Sequence, residues 1–214
     1  MVFPNNMGCP FCNFDVEIKY RLLTETEHFY LFPPLGAFTE SYVMIASKQH
    51  YTNLSVLPTP WIREFRALEQ TACKFLLNSY KLPVIEYEHG AGPTGNERAG
   101  GCVEHCHIAL MATKKDVLPT ITMQIGRGND IKDINDLQTL YQAGQLSAYL
   151  LYKDEKHAVY WDKPSIISQY MRRLLAADRN KQEFDWHFFP FKKNMERCKS
   201  KWEAWICGRT KQIK

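Results

Sequence analysis

Residues 101–111, Gly-Cys-Val-Glu-His-Cys-His-Ile-Ala-Leu-Met, constrain this chain more than any other stretch. Two histidines two residues apart in an otherwise largely apolar run read as a strand over 102–112. Period two then points His105, His107, Ala109 and Met111 to one face and Cys106, Ile108 and Leu110 to the other. On such a strand the imidazoles lie about 6–7 Å apart, close enough to serve one centre or two adjacent ones. A lone histidine on an apolar face is usually a packed core residue. A His-x-His pair preceded by Gly100-Gly101 points instead to chemistry.

Around this strand the pattern alternates between periods. Residues 28–32 and 40–47 read as strands joined by the Pro33-Pro34-Leu35-Gly36 turn. Trp61, Phe65, Leu68, Ala72, Phe75 and Leu76 recur at helical spacing after Pro58-Thr59-Pro60. Val84–Glu88 is a short strand, and 89–101 is a glycine-rich loop leading into the histidines. Residues 116–146 are irregular, with short helix and strand pieces. Residues 147–152 and 158–161 flank Lys153-Asp154-Glu155-Lys156 as a hairpin. Ile166, Ile167, Tyr170, Met171, Leu174 and Leu175 mark a second amphipathic helix over 165–179, carrying Gln169, Arg172 and Arg173 on its polar face. Met195, Cys198, Trp202, Trp205 and Ile206 mark a third.

Cys9-Pro10-Phe11-Cys12 is the second chemical signal, and it admits three readings. Redox dithiols use this spacing between a strand and a helix, but nothing before Cys9 reads as that strand. Structural zinc uses it because two thiolates two residues apart grip one tetrahedral ion. A chance pair is the third. Without a second Cys-x-x-Cys, zinc needs two histidines from elsewhere, for which His50 and His105 are candidates. Seven cysteines are an odd number, and no secretory signal is visible at the N-terminus. Both favour free or metal-bound thiols in a reducing, cytoplasmic setting. No apolar run approaches the ~20 residues of a membrane span. The net charge of +4 is modest, and its basic residues gather toward the C-terminus. They suit a solvated helical face, or attraction of a phosphorylated substrate or nucleic acid.

Taken together, this pattern resembles the histidine triad (HIT) superfamily, including its galactose-1-phosphate uridylyltransferase branch. The family motif, His-φ-His-φ-His-φ-φ after a glycine-rich loop, matches His105-Cys106-His107-Ile108-Ala109-Leu110-Met111. The upstream order also fits. Cys9-x-x-Cys12 comes first, then a strand pair ending at His50, one long helix, a strand, and Glu88-His89-Gly90 before the loop. The resemblance covers 9–112 well. It weakens toward 190, where 168–173 and 185–190 resemble longer bacterial-type members. It implies an α+β fold, a HIT-like antiparallel sheet with a long helix packed on it. A catalytic core over 1–115 would carry a C-terminal α/β extension, 116–214, packed on the same domain.

Position by position, the resemblance implies His107 as nucleophile and a structural zinc on Cys9, Cys12, His50 and His105. The glycine-rich loop, with Gly100 and Gly101, would lie over phosphates. The departure is Ala109, where the family carries a histidine or glutamine that contacts the phosphate or leaving group. His89, His187 or an arginine such as Arg172 or Arg173 could supply that contact. Adjacent arginines cannot share one narrow helical stripe, so at most one of the two is expected on phosphate.

The chemistry itself is ordinary. A neutral imidazole is a competent nucleophile near pH 7, and attack on an α-phosphorus gives a covalent nucleotidyl-histidine that water or a second phosphate resolves. The other ring nitrogen must donate a hydrogen bond so that the attacking nitrogen keeps its lone pair. The expected activity is nucleotidyl hydrolysis or transfer on a nucleoside phosphate, dinucleotide or phosphosugar. The alternatives are a nucleotide-binding protein that has lost turnover at Ala109, or a deadenylating enzyme of nucleic-acid ends. The chain is expected to be a monomer or homodimer.

Overall fold

The computed structural model describes residues 9–12, 16–92, 99–101, 103–179 and 182–212. Gly95, Asn96 and Arg98 of the glycine-rich loop lie outside them. Eight strands form one antiparallel sheet: β1 (Thr24–Glu25), β2 (Phe29–Phe32), β3 (Tyr42–Ser47), β4 (Val84–Gly90), β5 (His107–Ala112), β6 (Asn129–Asp130), β7 (Tyr149–Lys153) and β8 (Ala158–Asp162). Their order is β1-β2-β3-β5-β4-β7-β8-β6. The helices are α1 (Val16–Arg21), α2 (Trp61–Tyr80), α3 (Leu118–Ile125), α4 (Ile134–Gln142), α5 (Tyr170–Leu175) and α6 (Lys192–Gln212). The expected α+β architecture, an antiparallel sheet with a long helix on it, is what the chain forms. Residues beyond 115 supply β7, β8 and β6 to the same sheet.

The apolar, two-sided sequence of β5 sets its central position. Ile108, Leu110 and Ala112 enter one core with Val43 and Ile45 of β3, and α2 covers that face with Ile62, Phe65, Leu68, Ala72, Phe75 and Leu76. Ala109 and Met111 enter the other core with Tyr42, Tyr87 and Leu150, under Ile121 of α3 and Tyr170, Met171 and Leu175 of α5. A sheet covered on both faces needs strands without polar alternation, and β3 and β5 have that composition. Helix α2 starts after Pro60 and ends at Lys81 in the left-handed region (φ 55°).

Several elements differ from the sequence reading. The histidine strand is shorter than 102–112: it begins at His107, because the Cys106 amide donates to Tyr51 O (2.6 Å) rather than joining the ladder. Strand β4 runs on through His89 and Gly90, since β7 pairs with it out to Gly90↔Tyr149. The second amphipathic helix is not 165–179 but Tyr170–Leu175. Gln169 enters it with φ 59°, a conformation that cannot continue a helix backward. The segment 116–146 holds two regular helices, α3 and α4, and α4 carries a capping box between Asp133 and Asp136.

The C-terminal extension is locked onto the turn that follows β2. The Gly36 amide donates to Pro190 O, and Arg172 Nη2 donates to Gly36 O (2.8 Å). A Cβ on Gly36, whose φ is +72°, would stand 2.3 Å from the Trp186 Cβ and 2.7 Å from Arg172 Nη2. Gly36→Ala is therefore expected to lower stability by more than the ~1–2 kcal/mol that a left-handed backbone costs an L-residue. It should also lower the fluorescence-detected packing of Trp186 in urea titrations, whereas Gly144→Ala, with φ +69° but open space around it, shows the backbone cost alone.

Candidate active site

Four side chains from three separate segments converge on one point. Cys9 and Cys12 come from the N-terminal turn, His50 from the loop after β3, and His105 from the residues just before β5. Their ligand atoms all lie within 4.8 Å of one another. His105 Nδ1 is 3.3 Å from Cys9 Sγ, 3.5 Å from Cys12 Sγ and 3.3 Å from His50 Nδ1, and Cys12 Sγ is 3.2 Å from His50 Nδ1. The far nitrogen of His105, Nε2, donates to Ser47 O at 2.7 Å, which leaves Nδ1 as the lone-pair atom facing the sulfurs. Burial pushes His105 down to about 3, so the ring is neutral, the state a ligand must have. Four electron-rich atoms so close repel one another unless a cation sits among them. These residues could hold a metal ion, as the sequence singled them out to do.

His107 is the next residue but one, and it faces elsewhere. Its Nδ1 lies 2.5 Å from the His105 carbonyl oxygen, so Nδ1–H donates and Nε2 carries the lone pair. The ring lines a cavity of about 120 Å³ over the β3-β5-β4 face. The two imidazoles are thus not side by side on one strand. The chain leaves the sheet before His107, and His105 turns to the cysteines. Burial lowers the pKa of His107 and keeps the ring neutral.

The cavity joins parts from the whole chain. Pro10 and Phe11 come from the cysteine turn, Met44 and Tyr42 from β3, and Tyr87 and His89 from β4. Gly100 and Val103 stand at one rim, and Gln169, Arg172 and Trp186 come from the extension. Phe11 packs edge-on against both His105 (5.4 Å) and His107 (5.5 Å). Ala109 forms part of the floor, with Tyr87 as its register partner on β4 and Met44 on β3. The Tyr42 and Tyr87 hydroxyls, from two residues of the same cavity lining, meet at 2.6 Å. Sequence reading missed both tyrosines, which look like ordinary strand aromatics; the register pairs Tyr87 with Ala109 and Tyr42 with Met111.

The remaining candidates separate. His89 is in the cavity wall, and the Met171 amide approaches its Nε2 at 3.5 Å. Gly100, with φ +74°, accepts from the Gln169 amide (2.7 Å) through its carbonyl, and Gly101 packs against His89. Arg172 reaches the cavity, but its Nε and Nη2 donate to Phe184 O and Gly36 O. Arg173 lies over the Phe184 ring at 3.8 Å and donates to Ser168 O, away from the cavity lining. His187 is exposed, bonded to Asp185 and stacked on Trp186, and is also outside the lining. Neither Arg173 nor His187 is therefore brought to His107.

No family model matches this chain, and no curated protein matches it. Among solved structures it is similar to a hypothetical histidine triad nucleotide-binding protein from Sulfolobus tokodaii, with 10% identity and a TM-score of 0.43 over 92% of this chain and 93% of that one. It is also similar to a member of the HIT family from Bacillus subtilis, with 16% identity and a TM-score of 0.43 over 66% and 99%. A HIT family protein from Bacillus anthracis gives 15% identity and a TM-score of 0.41 over 64% and 94%. Likenesses this distant leave the chemistry of the site to its own residues.

Burial pushes His89 down to about 3, with the neighbouring His107 adding to the shift. Between about pH 6.5 and 3 the unfolded chain therefore binds a proton at this residue that the folded chain does not. Its contribution to stability is complete above about 6.5 and is lost as pH falls through that window. Stability measured by urea titration at pH 7, 6, 5 and 4 should fall less steeply for His89→Gln than for the wild type. Parallel curves would show that His89 is not the group responsible.

Proposed function

We propose that this chain is a member of the histidine triad superfamily that hydrolyses or transfers a nucleotidyl group through a covalent nucleotidyl-His107. The observation that carries this reading is the hydrogen bond from His107 Nδ1 to the His105 carbonyl, in a ring that lines a cavity. It fixes the tautomer in which Nε2 keeps its lone pair, the requirement for a nucleophilic imidazole. Nε2 attacks the phosphorus, the P–N bond forms, and the bond to the leaving oxygen breaks with its electron pair. Water or an acceptor phosphate then attacks the same phosphorus and returns the imidazole.

The metal in this reading is a structural zinc. Tetrahedral Zn–N bonds of about 2.0–2.1 Å and Zn–S bonds of about 2.3 Å imply N···N near 3.3 Å and N···S near 3.5 Å. The separations in the Cys9, Cys12, His50 and His105 group agree with both. The Ser47 carbonyl on His105 Nε2 is the orienting partner that ligating imidazoles ordinarily have. With four protein ligands the site would be closed, so these residues would clamp the N-terminal turn beside β5 through the ion and leave the phosphorus chemistry to His107.

Ala109 supports a second reading, a nucleotide-binding protein without turnover, because alanine makes no polar contact with a phosphate. The Tyr42–Tyr87 hydroxyl pair favours the enzymatic one, since both tyrosines line the same cavity as Ala109 and bring hydrogen-bonding groups that alanine lacks.

Incubation with α-labelled nucleotides is expected to leave acid-labile label on the wild type. His107→Ala should lose label and turnover by several powers of ten while keeping its metal and fold. Turnover within about tenfold of wild type, less than ~1.4 kcal/mol of barrier, rules His107 out as nucleophile. Tight nucleotide binding with no label on the wild type selects the second reading.

Metal analysis of the purified protein should find one zinc per chain. Cys9→Ser should reduce that content and cost about 3 kcal/mol or more, which is roughly 6–12 °C in Tm for a domain of this size. Unchanged zinc in the variant removes Cys9 from the ligand set.

A further inference from the structure

His107 has a cross-strand neighbour on each side, and the two differ in kind. On β3 its register partner is Ala46, which carries no polar side-chain atom. On β4 the ladder pairs Val84↔Ala112, Ile85↔Met111, Glu86↔Leu110 and Tyr87↔Ala109, so the same register puts His89 opposite His107. Directly opposite residues point to one face, with Cβ atoms about 4.5–5.5 Å apart. Both rings line the same cavity, as do Tyr87 and Ala109 one pair further along.

The two imidazoles are anchored by opposite nitrogens. His107 donates from Nδ1 to the His105 carbonyl, which leaves Nε2 as its lone-pair atom. His89 is held the other way round. The Met171 amide donates to its Nε2 at 3.5 Å, so Nε2 carries the lone pair and the proton sits on Nδ1. That amide is free to donate because it belongs to the first turn of α5, where backbone N–H groups have no helical partner. Nδ1 has no hydrogen-bond partner among the described residues, nor is it one of their buried unpartnered side-chain atoms. It is therefore accessible, and the space that this largely buried ring lines is the cavity of His107. Burial also keeps the ring neutral, so Nδ1–H is a donor that retains its proton. One histidine thus offers the cavity a lone pair and the other offers it an N–H.

We propose that His89 is a catalytic residue of the transfer reaction, donating a hydrogen bond from Nδ1–H to a non-bridging oxygen of the phosphoryl group that His107 attacks. The inference rests on the reading of His107 as nucleophile and adds to it the donor that Ala109 cannot supply. As Nε2 of His107 bonds to phosphorus and the leaving oxygen departs with its electron pair, negative charge gathers on the non-bridging oxygens. A fixed donor beside them stabilises that state more than the ground state. The proton stays on Nδ1 throughout, so His89 ends each half-reaction as it began. A neutral imidazole acts here as an electrophile and gives no proton to the leaving group. Helix α5 of the C-terminal extension sets this tautomer through the Met171 amide.

The test compares wild type, His89→Leu and His89→Asn in turnover and acid-labile labelling. The substrates are phosphorus-labelled p-nitrophenyl and phenyl esters of AMP, GMP, CMP and UMP. Leucine removes the donor, whereas asparagine puts an amide N–H at the Nδ1 position. For the best nucleotide, kcat of His89→Leu should fall about a hundredfold or more with KM little changed. His89→Asn should recover to within about tenfold of the wild type. The loss should be the same for both leaving groups, because the donor serves a non-bridging oxygen. A loss that is larger for the phenyl ester, the poorer leaving group, overturns the assignment in favour of proton donation to the leaving oxygen. An asparagine variant as slow as the leucine one overturns it in favour of a packing role. Tm and metal content report on the fold. If the leucine variant does not fold, His89→Gln, whose amide reaches the Nε2 position instead, replaces it in the same comparison. A labelled wild type with the donor-less variant within about threefold of it ends this assignment alone. A wild type that neither takes label nor turns over ends it together with His107 as nucleophile.

Discussion

The break in the ladder ahead of His107 is the constraint on which the rest of the site depends. The Cys106 amide is taken by Tyr51 O, and the Ser47 amide by Cys106 O, so the chain turns off the sheet just before β5. One residue on either side of Cys106 then serves a different purpose. His105 swings to Cys9, Cys12 and His50, while His107 stays over the sheet. Had the strand continued to 102, both rings would have shared one face. The carbonyl of His105, released from strand pairing by the same turn, is the acceptor that sets the tautomer of His107.

The extension beyond residue 115 does more than lengthen the sheet. Strand β7 pairs with the edge of β4 and β8 with β7, and Glu88 of β4 then accepts from both the Tyr149 hydroxyl of β7 and the Leu54 amide. Burial pushes this carboxyl up to about 8. The Leu54 contact holds the loop that begins at His50, so a strand of the extension steadies the segment that carries this histidine. On the other face, α5 and the residues around Trp186 complete the wall of the cavity.

Much of this was legible from periodicity. Helix α2 begins where Pro58-Thr59-Pro60 and the apolar spacing put it, because an amphipathic stripe on a long helix has few alternatives. The Cys9, Cys12, His50 and His105 set was named from spacing and family order, and these residues do come together. What escaped was tertiary. One polar partner of Arg172 is a backbone carbonyl on a turn far away in sequence, and no local pattern shows that its guanidinium reaches there. Tyr42 and Tyr87 meet only because β3 and β4 both flank β5, a fact of sheet order rather than of either strand's sequence. Gln169 is the converse case, read as part of a polar helix face yet buried in the cavity wall ahead of α5.

Phe11 gives the cysteine turn a second duty. Its ring touches both His105 and His107 and packs on Phe32 at 5.8 Å, so the segment that presents Cys9 and Cys12 is also a wall of the cavity. Stripping the cysteines of whatever they bind would pull that wall from beside His107. Inactivation by a chelating agent is therefore not diagnostic of a metal-dependent reaction in this chain. It is equally the signature of a displaced aromatic ring, and only a ligand-binding measurement on the stripped protein tells the two apart.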